Sequence, residues 1–452
     1  MFIDFILEEF ARDPDRDAII WRNEPFRYAQ LLDHIQHWQK YIVDQNIPPG
    51  SVVALEADFS PNGISLFFAL VEHACIVVPL TSQTSARKGE LLEVAQVEYM
   101  FSIDEADKVT LQKLLAIPTH ELLMRLRVLC HPGLVIFSSG SSGRCKGAVH
   151  DFTRILGKFK VRRSPHRGIS FLLFDHIGGV NTMLALLGSG GCLVTVKDRS
   201  PDSVLAAVET HRVEHLPISP TFLNLIMLSE AHTRHNLDSL KVISYGTEPM
   251  PESLLRRFHA LFPDIKLIQL YGMSELGILR TRSVSSESNW VQLSGEDYET
   301  RIVNGAIEIK AQTAMLGYLN APSPFTEDGW LITGDAVEVQ GDSFRIIGRK
   351  SELINIGGEK VYPAEIEAVL LQMPNVVDVL VYGKPNALTG QIVCAWVKLA
   401  DDQPRRDFMK SLRQFCKGKL QTYQIPVEVD ITADDLHSER FKKLRMRAIQ
   451  SK

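Results

Sequence analysis

The densest concentration of chemically capable residues is a run of small polar side chains. Ser138, Ser139, Gly140, Ser141, Ser142 and Gly143 are followed by Arg144, Cys145, Lys146 and Gly147. The run follows an apolar stretch, Leu134 to Phe137, that reads as a buried strand. Glycines admit left-handed backbone and close approach, so successive amides can converge on an anion, with serine hydroxyls and Lys146 adding donors and charge. The chemistry expected of this loop is to cradle a polyphosphate. Flexible linkers share the composition, but a linker has no need of a buried strand before it or a Gly-x-x-Lys-Gly ending. The loop is not a Walker A sequence, which needs Gly-x4-Gly-Lys-Ser/Thr: Cys145 stands five residues after Gly140, and Ala148 five after Gly143. Gly188 and Gly190 do not begin a dinucleotide fingerprint, because Leu193 takes the third glycine's place.

The elements that must position the cradle alternate in type. Strand-like runs at 169–174, 191–196, 213–218, 240–245 and 265–270 are separated by helical stretches, as are 52–55 and 75–79. This alternation predicts a doubly wound α/β architecture with parallel sheets and ligands at the strand C-terminal ends. Three loops leave such ends. The first carries Asp175, His176 and Gly179; the second Gly246, Thr247 and Glu248; the third Tyr271, Gly272 and Glu275. Tyr271 offers an aromatic face for a base, and Glu275 a hard oxygen for magnesium. A turn-rich β region from 298 to 342 contains Thr333-Gly334-Asp335, and the final hundred residues read as α+β. His211 and His215 have metal-like spacing, but no third ligand accompanies them, and structural zinc needs four.

In order along the chain, these residues resemble the signatures of the adenylate-forming superfamily, which contains acyl- and aryl-CoA synthetases, adenylation domains and luciferases. Its phosphate loop runs Thr-Ser-Gly-Thr-Thr-Gly-x-Pro-Lys-Gly, matched by Ser138 to Gly147 with Cys145 in place of proline. Tyr271-Gly272-Met273-Ser274-Glu275 is similar to the family's Tyr-Gly-x-Thr-Glu. The resemblance implies a large N-terminal domain over 1–348, a hinge at 349–351 centred on Ser351, and a small mobile C-terminal domain over 352–452. It implies ATP held by the cradle, with Gly246, Thr247, Glu248, Tyr271, Asp335 and Arg349 around adenine and ribose, and magnesium on Glu275. It places Asp175, His176, Gly179, Gly246 and Gly272 in the acid pocket, Gly357 and Gly358 in a thiol tunnel, and Lys443 at the acyl carboxylate and α-phosphate. Ser351 stands where relatives carry Asp or Lys, and Lys442 where they carry glycine.

The activity implied is acid–thiol ligation. A carboxylic acid, aryl or medium acyl, is activated as acyl-AMP with release of pyrophosphate and then passed to CoA. Loading of a carrier-protein phosphopantetheine, amino-acid activation through Asp175, a luciferase-like second step and a catalytically impaired nucleotide-binding pseudo-ligase are the alternatives. Small residues at Gly178, Gly179 and Gly246 are read as room for the acyl group.

Composition bounds these readings. The 452 residues allow two or more domains, and 49 basic against 54 acidic residues give a net charge of −5, with no general affinity for nucleic acid. The acidic, apolar N-terminus lacks the basic start of a secretory signal, and the longest apolar run, 64–80, is broken by Glu72 and His73, so no membrane association is expected. Six scattered cysteines without a Cys-x-x-Cys pair read as reduced thiols in a cytoplasmic protein.

Overall fold

The computed structural model describes residues 1–139, 145–293, 295, 297–437 and 443. The large domain is built on two seven-stranded sheets. In the first, Lys266–Gln269, Val242–Tyr245, His215–Ile218, Arg167–Ile169, Cys192–Val194 and Asp17–Trp21 run parallel, with Glu24–Arg27 antiparallel at the edge. In the second, Gly133–Ser139, Ile76–Leu80, Val52–Glu56 and Tyr99–Ile103 form the parallel centre. Cys145–Asp151 and Gly317–Tyr318 extend it antiparallel on the cradle side. The central strands are near-continuous apolar runs because both faces are covered; every residue of Ile76–Leu80 is buried.

Helices begin where the sequence supplies caps. Ser60, Ser200 and Ser219 each accept a bond from the backbone of the first turn, and each is followed by proline at the first helical position. The helix Pro61–Glu72 is buried over almost its whole length. It belongs to an aromatic core in which Phe67 meets Phe152 and Phe174 edge to face, at centroid distances of 5.7 and 5.9 Å. A six-stranded antiparallel sheet spanning Thr281–Arg349 forms the β-rich subdomain. Beyond it, a five-stranded sheet with the helices Pro363–Leu370 and Arg405–Cys416 makes the small domain around its own core.

One expected strand is shorter than its apolar text. The run 169–174 contributes only Arg167–Ile169 to the sheet, and residues 170–176 leave it. The segment instead passes close to the first turn of the helix Ile177–Leu187, where a Cβ on Gly179 would stand 2.0 Å from the Leu173 carbonyl oxygen. Among the described residues, no helix is long and apolar enough to cross a membrane.

Candidate functional site

Gly140, Ser141, Ser142 and Gly143 lie outside the described residues, but the stem that presents them is well defined. Ser138 pairs with Lys146, and Ser139 with Cys145, in an antiparallel ladder. The returning strand is clamped by Asn320, whose amide donates to the Cys145 carbonyl at 2.8 Å and accepts from the Gly147 amide at 3.1 Å. Lys146 is therefore bracketed on both sides, and its ammonium lies 5.2 Å from the centroid of the Tyr318 ring.

Tyr318 links the cradle to the next loop by donating its hydroxyl to Glu275 Oε1. The Met315 amide donates to the Glu275 carbonyl at 2.8 Å, and buried His150 bonds the Ser274 carbonyl through Nε2 at 2.6 Å. Burial holds the His150 imidazole below its ordinary range, so it is neutral and, with Nε2 facing a carbonyl, a donor there. With one Glu275 oxygen held by Tyr318, the other is available to a hard cation. A single carboxylate completed by phosphate oxygens is a donor set that suits magnesium. Among the described residues no group of three or more metal-ligating side chains occurs.

Asp335, only 6% exposed, accepts from Tyr271 at 2.8 Å and from Arg349 Nε at 3.1 Å. Gly334 takes a φ of +74°, and Thr333 Oγ1 accepts from the Asp335 amide at 3.0 Å, which fixes the turn. Burial raises the Asp335 carboxyl above its usual range, against the opposing pull of Arg349. Asp335 in turn pushes the guanidinium of Arg349 upward. Glu275 lies close enough to act electrostatically on both. Lys146, Tyr318, Glu275, Asp335 and Arg349 thus share one rim. Tyr271 is the residue expected as an aromatic face for adenine. Its ring is 3% exposed and packed edge-on to Phe344 at 6.1 Å, leaving its hydroxyl as a donor that orients Asp335.

The neighbouring loops show why glycines stand in them. A Cβ on Gly246 would meet the Leu270 carbonyl oxygen at 2.9 Å, and one on Gly272 the Gly277 carbonyl oxygen at 2.6 Å. A Cβ on Gly178 would meet the Leu172 side chain at 2.6 Å. At Gly178, Gly179 and Gly246, expected as room for an acyl group, the space in the Cβ direction is occupied by the chain's own atoms. Thr247 holds a φ of +76°, an uncommon conformation for a non-glycine residue. Its neighbour Glu248 accepts from the Thr221 amide at 3.3 Å, and burial raises its carboxyl while Lys443 and His437 oppose that shift. Asp175, 4% exposed, accepts from Thr81 Oγ1 at 3.1 Å. His176 caps the helix Ile177–Leu187 by accepting from the Gly178 amide at 3.0 Å. Of the two metal-spaced histidines, His211 meets Asn23 at 3.0 Å and His215 meets Ser244 at 2.7 Å.

The small domain bonds Lys443 internally, although the ammonium lies close enough to act on Glu248 of the large domain. Lys443 Nζ is 10% exposed and donates to Glu367 Oε2 at 2.9 Å and to the Val379 carbonyl at 2.7 Å. It is not hydrogen-bonded to Glu275 or Asp335. Glu367, on the helix Pro363–Leu370, is a buried acceptor that also takes the Val381 amide at 2.9 Å. Ser351 sits in a one-turn 3-10 helix, Lys350–Glu352, directly after the strand Ser343–Arg349. Gly357 and Gly358 form an exposed hairpin tip with φ of +61° and +100°. The small domain touches the large one where His437 meets Thr221 at 3.3 Å. Lys442 lies outside the described residues.

Sequence reasoning passed over Tyr318 and Asn320. The strand here is only Gly317–Tyr318 and Asn320 lies beyond it, so no strand periodicity flagged the pair.

Doubly wound sheets followed by a small α+β domain are the architecture of an adenylate-forming enzyme of the AMP-forming, acyl- and aryl-CoA-synthetase-like class, and the family matches agree. Residues 7–303 match the AMP-binding enzyme family, and residues 365–443 match the AMP-binding enzyme C-terminal domain. The chain belongs to this family. It is similar to the indoleacetate–CoA ligase of Aromatoleum aromaticum, at 24% identity over 96% of this chain and 94% of that protein. It is 29% identical to a probable CoA ligase of Humulus lupulus across 58% of this chain, a match that spans about half, 53%, of that relative's length. Among solved structures, the o-succinylbenzoate CoA synthetase of Bacillus subtilis, in complex with its acyl-adenylate intermediate, superposes with a TM-score of 0.80 over 98% of this chain and 97% of that one. An anthranilate CoA ligase does so with 0.81 over 98% and 96%. At 20% and 17% identity these two support the fold.

Proposed function

We propose that the protein activates a carboxylic acid as its acyl adenylate, releasing pyrophosphate from ATP, and then transfers the acyl group to the pantetheine thiol of CoA. The observation that carries this reading is the shared rim: Lys146, Glu275 and the Asp335–Arg349 pair, far apart in sequence, face one another through Tyr318 and Tyr271. Such a rim positions a triphosphate and neutralises its charge, which is most of what attack at phosphorus demands. Magnesium on Glu275 would supply further neutralisation of the phosphate oxygens. Lys146 and the serine loop hold the leaving pyrophosphate, and Asp335 accepts from the ribose hydroxyls. The substrate carboxylate attacks the α-phosphorus, its bond to the bridging oxygen breaks, and pyrophosphate leaves.

Lys443 enters after release from Glu367, when the small domain turns about Ser351 and brings the ammonium between two anions that otherwise repel. The opposite turn withdraws it and carries the Gly357–Gly358 tip to the adenylate, where glycines let a thiol pass close to the backbone. The thiol sulfur then attacks the acyl carbon and AMP leaves. Acid-dependent exchange of labelled pyrophosphate into ATP, run over a panel of acids, tests the first half. No exchange with any acid, despite ATP binding, would leave a nucleotide-binding pseudo-ligase. Thioester formation compared between CoA and a phosphopantetheinylated carrier protein tests the second half, and transfer to the carrier alone would overturn the choice of CoA.

A further inference from the structure

The first sheet has a cavity at the end opposite its ligand-side loops. It measures about 380 Å³, within the range of small-molecule pockets. Its wall comes from the starts of parallel strands: Asp17 opens Asp17–Trp21, Arg167 opens Arg167–Ile169 and Cys192 opens Cys192–Val194. Glu214 and Lys241 stand one residue before His215–Ile218 and Val242–Tyr245. The strand Val242–Tyr245 runs on into Gly246, Thr247 and Glu248, so its length, about 13 Å at the usual rise per residue, separates the cavity from that loop. A molecule in the cavity would not touch one bound at the rim.

The charges of the wall give the ligand its sign. Asp17 accepts from Arg167 Nη2 at 2.7 Å. Glu214 accepts from the Arg167 amide at 3.0 Å and pairs with the Lys241 ammonium. Asp238, exposed at the mouth, accepts from Asn236 Nδ2 at 3.1 Å. Arg16 and Arg212 complete the wall, and among the described residues neither guanidinium has an ion pair or a hydrogen bond. Arg212 is held there by its left-handed backbone, φ +50°, at the end of the helix Pro201–His211. Two unpaired guanidinium forks on one cavity match the oxygens of a phosphate group, which they can take bidentately. The volume exceeds what a bare phosphate fills. We propose that this cavity is a second ligand site that binds a small phosphorylated organic molecule, with Arg16 and Arg212 clamping the phosphate and the organic part lying against Cys192. It is built for binding rather than chemistry. Burial pushes the Cys192 thiol up to about 12, and the Ser239 hydroxyl is spent on the Val213 carbonyl at 2.9 Å. The inference does not depend on the ligase reading.

The test is calorimetry on the full chain with saturating ATP and magnesium, so that the rim is occupied. The titrants are inorganic phosphate, glycerol phosphate and ribose phosphate, with glycerol as the neutral control. An ester should bind about tenfold more tightly than inorganic phosphate, which is what burying two extra methylene groups supplies, and glycerol should not bind. Arg16→Ala and Arg212→Ala, both exposed and therefore tolerable to the fold, should each weaken ester binding by about tenfold or more, the range of a charge-assisted hydrogen bond. Arg212→Lys should restore part of it. Acid-dependent pyrophosphate exchange should be unchanged in all three variants. Absence of saturable ester binding, or ester binding that survives the double variant Arg16→Ala with Arg212→Ala, overturns the site. Loss of exchange in step with loss of ester binding would place the phosphate at the rim and overturn it equally. Inorganic phosphate bound as tightly as the esters overturns the organic ligand. Because the readout is binding, absence of exchange with every acid would defeat the ligase reading alone.

Discussion

The nucleotide rim and the small domain hold their charged residues in opposite ways. In the rim, each group is bonded in an arrangement that still offers something to a ligand. Glu275 gives one oxygen to Tyr318, Asp335 is held by Tyr271 and Arg349, and Lys146 rests on an aromatic face. In the small domain, Lys443 is stored, with its ammonium between Glu367 and the Val379 carbonyl at 10% exposure. Bringing it to the rim costs a buried ion pair, several kcal/mol in comparable cases, and only contacts with equally strong anions offset that. The contrast teaches a division of labour. On the proposed mechanism, ATP would meet groups already in place in the resting fold, whereas the Lys443 charge would arrive by motion.

Breaking the prepared side should give the largest losses. Glu275→Gln should lower acid-dependent pyrophosphate exchange by about a hundredfold to a thousandfold, the cost of one missing electrostatic stabiliser, measured at saturating magnesium. Asp335→Ala leaves Tyr271 and Arg349 without their partner and should cost about 1–3 kcal/mol in a denaturant titration, with ATP affinity falling alongside. Tyr318→Phe keeps the ring under Lys146 and removes only the bond to Glu275, so about 1 kcal/mol, or a severalfold rise in KM for ATP at unchanged stability, is expected. A larger loss of stability than of affinity would make Tyr318 merely structural.

The smallest effect concerns acid. Because burial lowers the His150 pKa in the folded chain, the unfolded chain binds its proton first. The stability it contributes is complete above about pH 6.5 and declines as pH falls below that, by at most about 1.4 kcal/mol per pH unit. Thermal unfolding of wild type and His150→Gln between pH 7 and 5 should show the wild type losing more. Parallel curves would remove His150 from the support of the Ser274–Glu275 turn.

Order along the chain made much of this molecule readable. The parallel strands announced themselves as apolar runs, proline after serine marked the helix starts, and Glu275 fell in a loop beyond a parallel strand, where ligands gather. What escaped was decided by packing in three dimensions. Gly178, Gly179 and Gly246 read as empty space, yet each missing Cβ is replaced by a neighbouring atom of the chain. The bond from the Tyr271 hydroxyl to Asp335 joins residues 64 apart and was invisible in the string. Tyr318 and Asn320 carry no charge and so drew no notice, although they join the cradle to Glu275.

The division between prepared binding and delivered charge is tested most directly on Lys443→Ala in the full chain. ATP affinity by calorimetry and acid-dependent pyrophosphate exchange should be measured on the same preparation. The account predicts ATP affinity within about threefold of wild type and exchange reduced by about a hundredfold or more. Exchange at the wild-type rate, or a loss of ATP affinity as large as the loss of exchange, would contradict it.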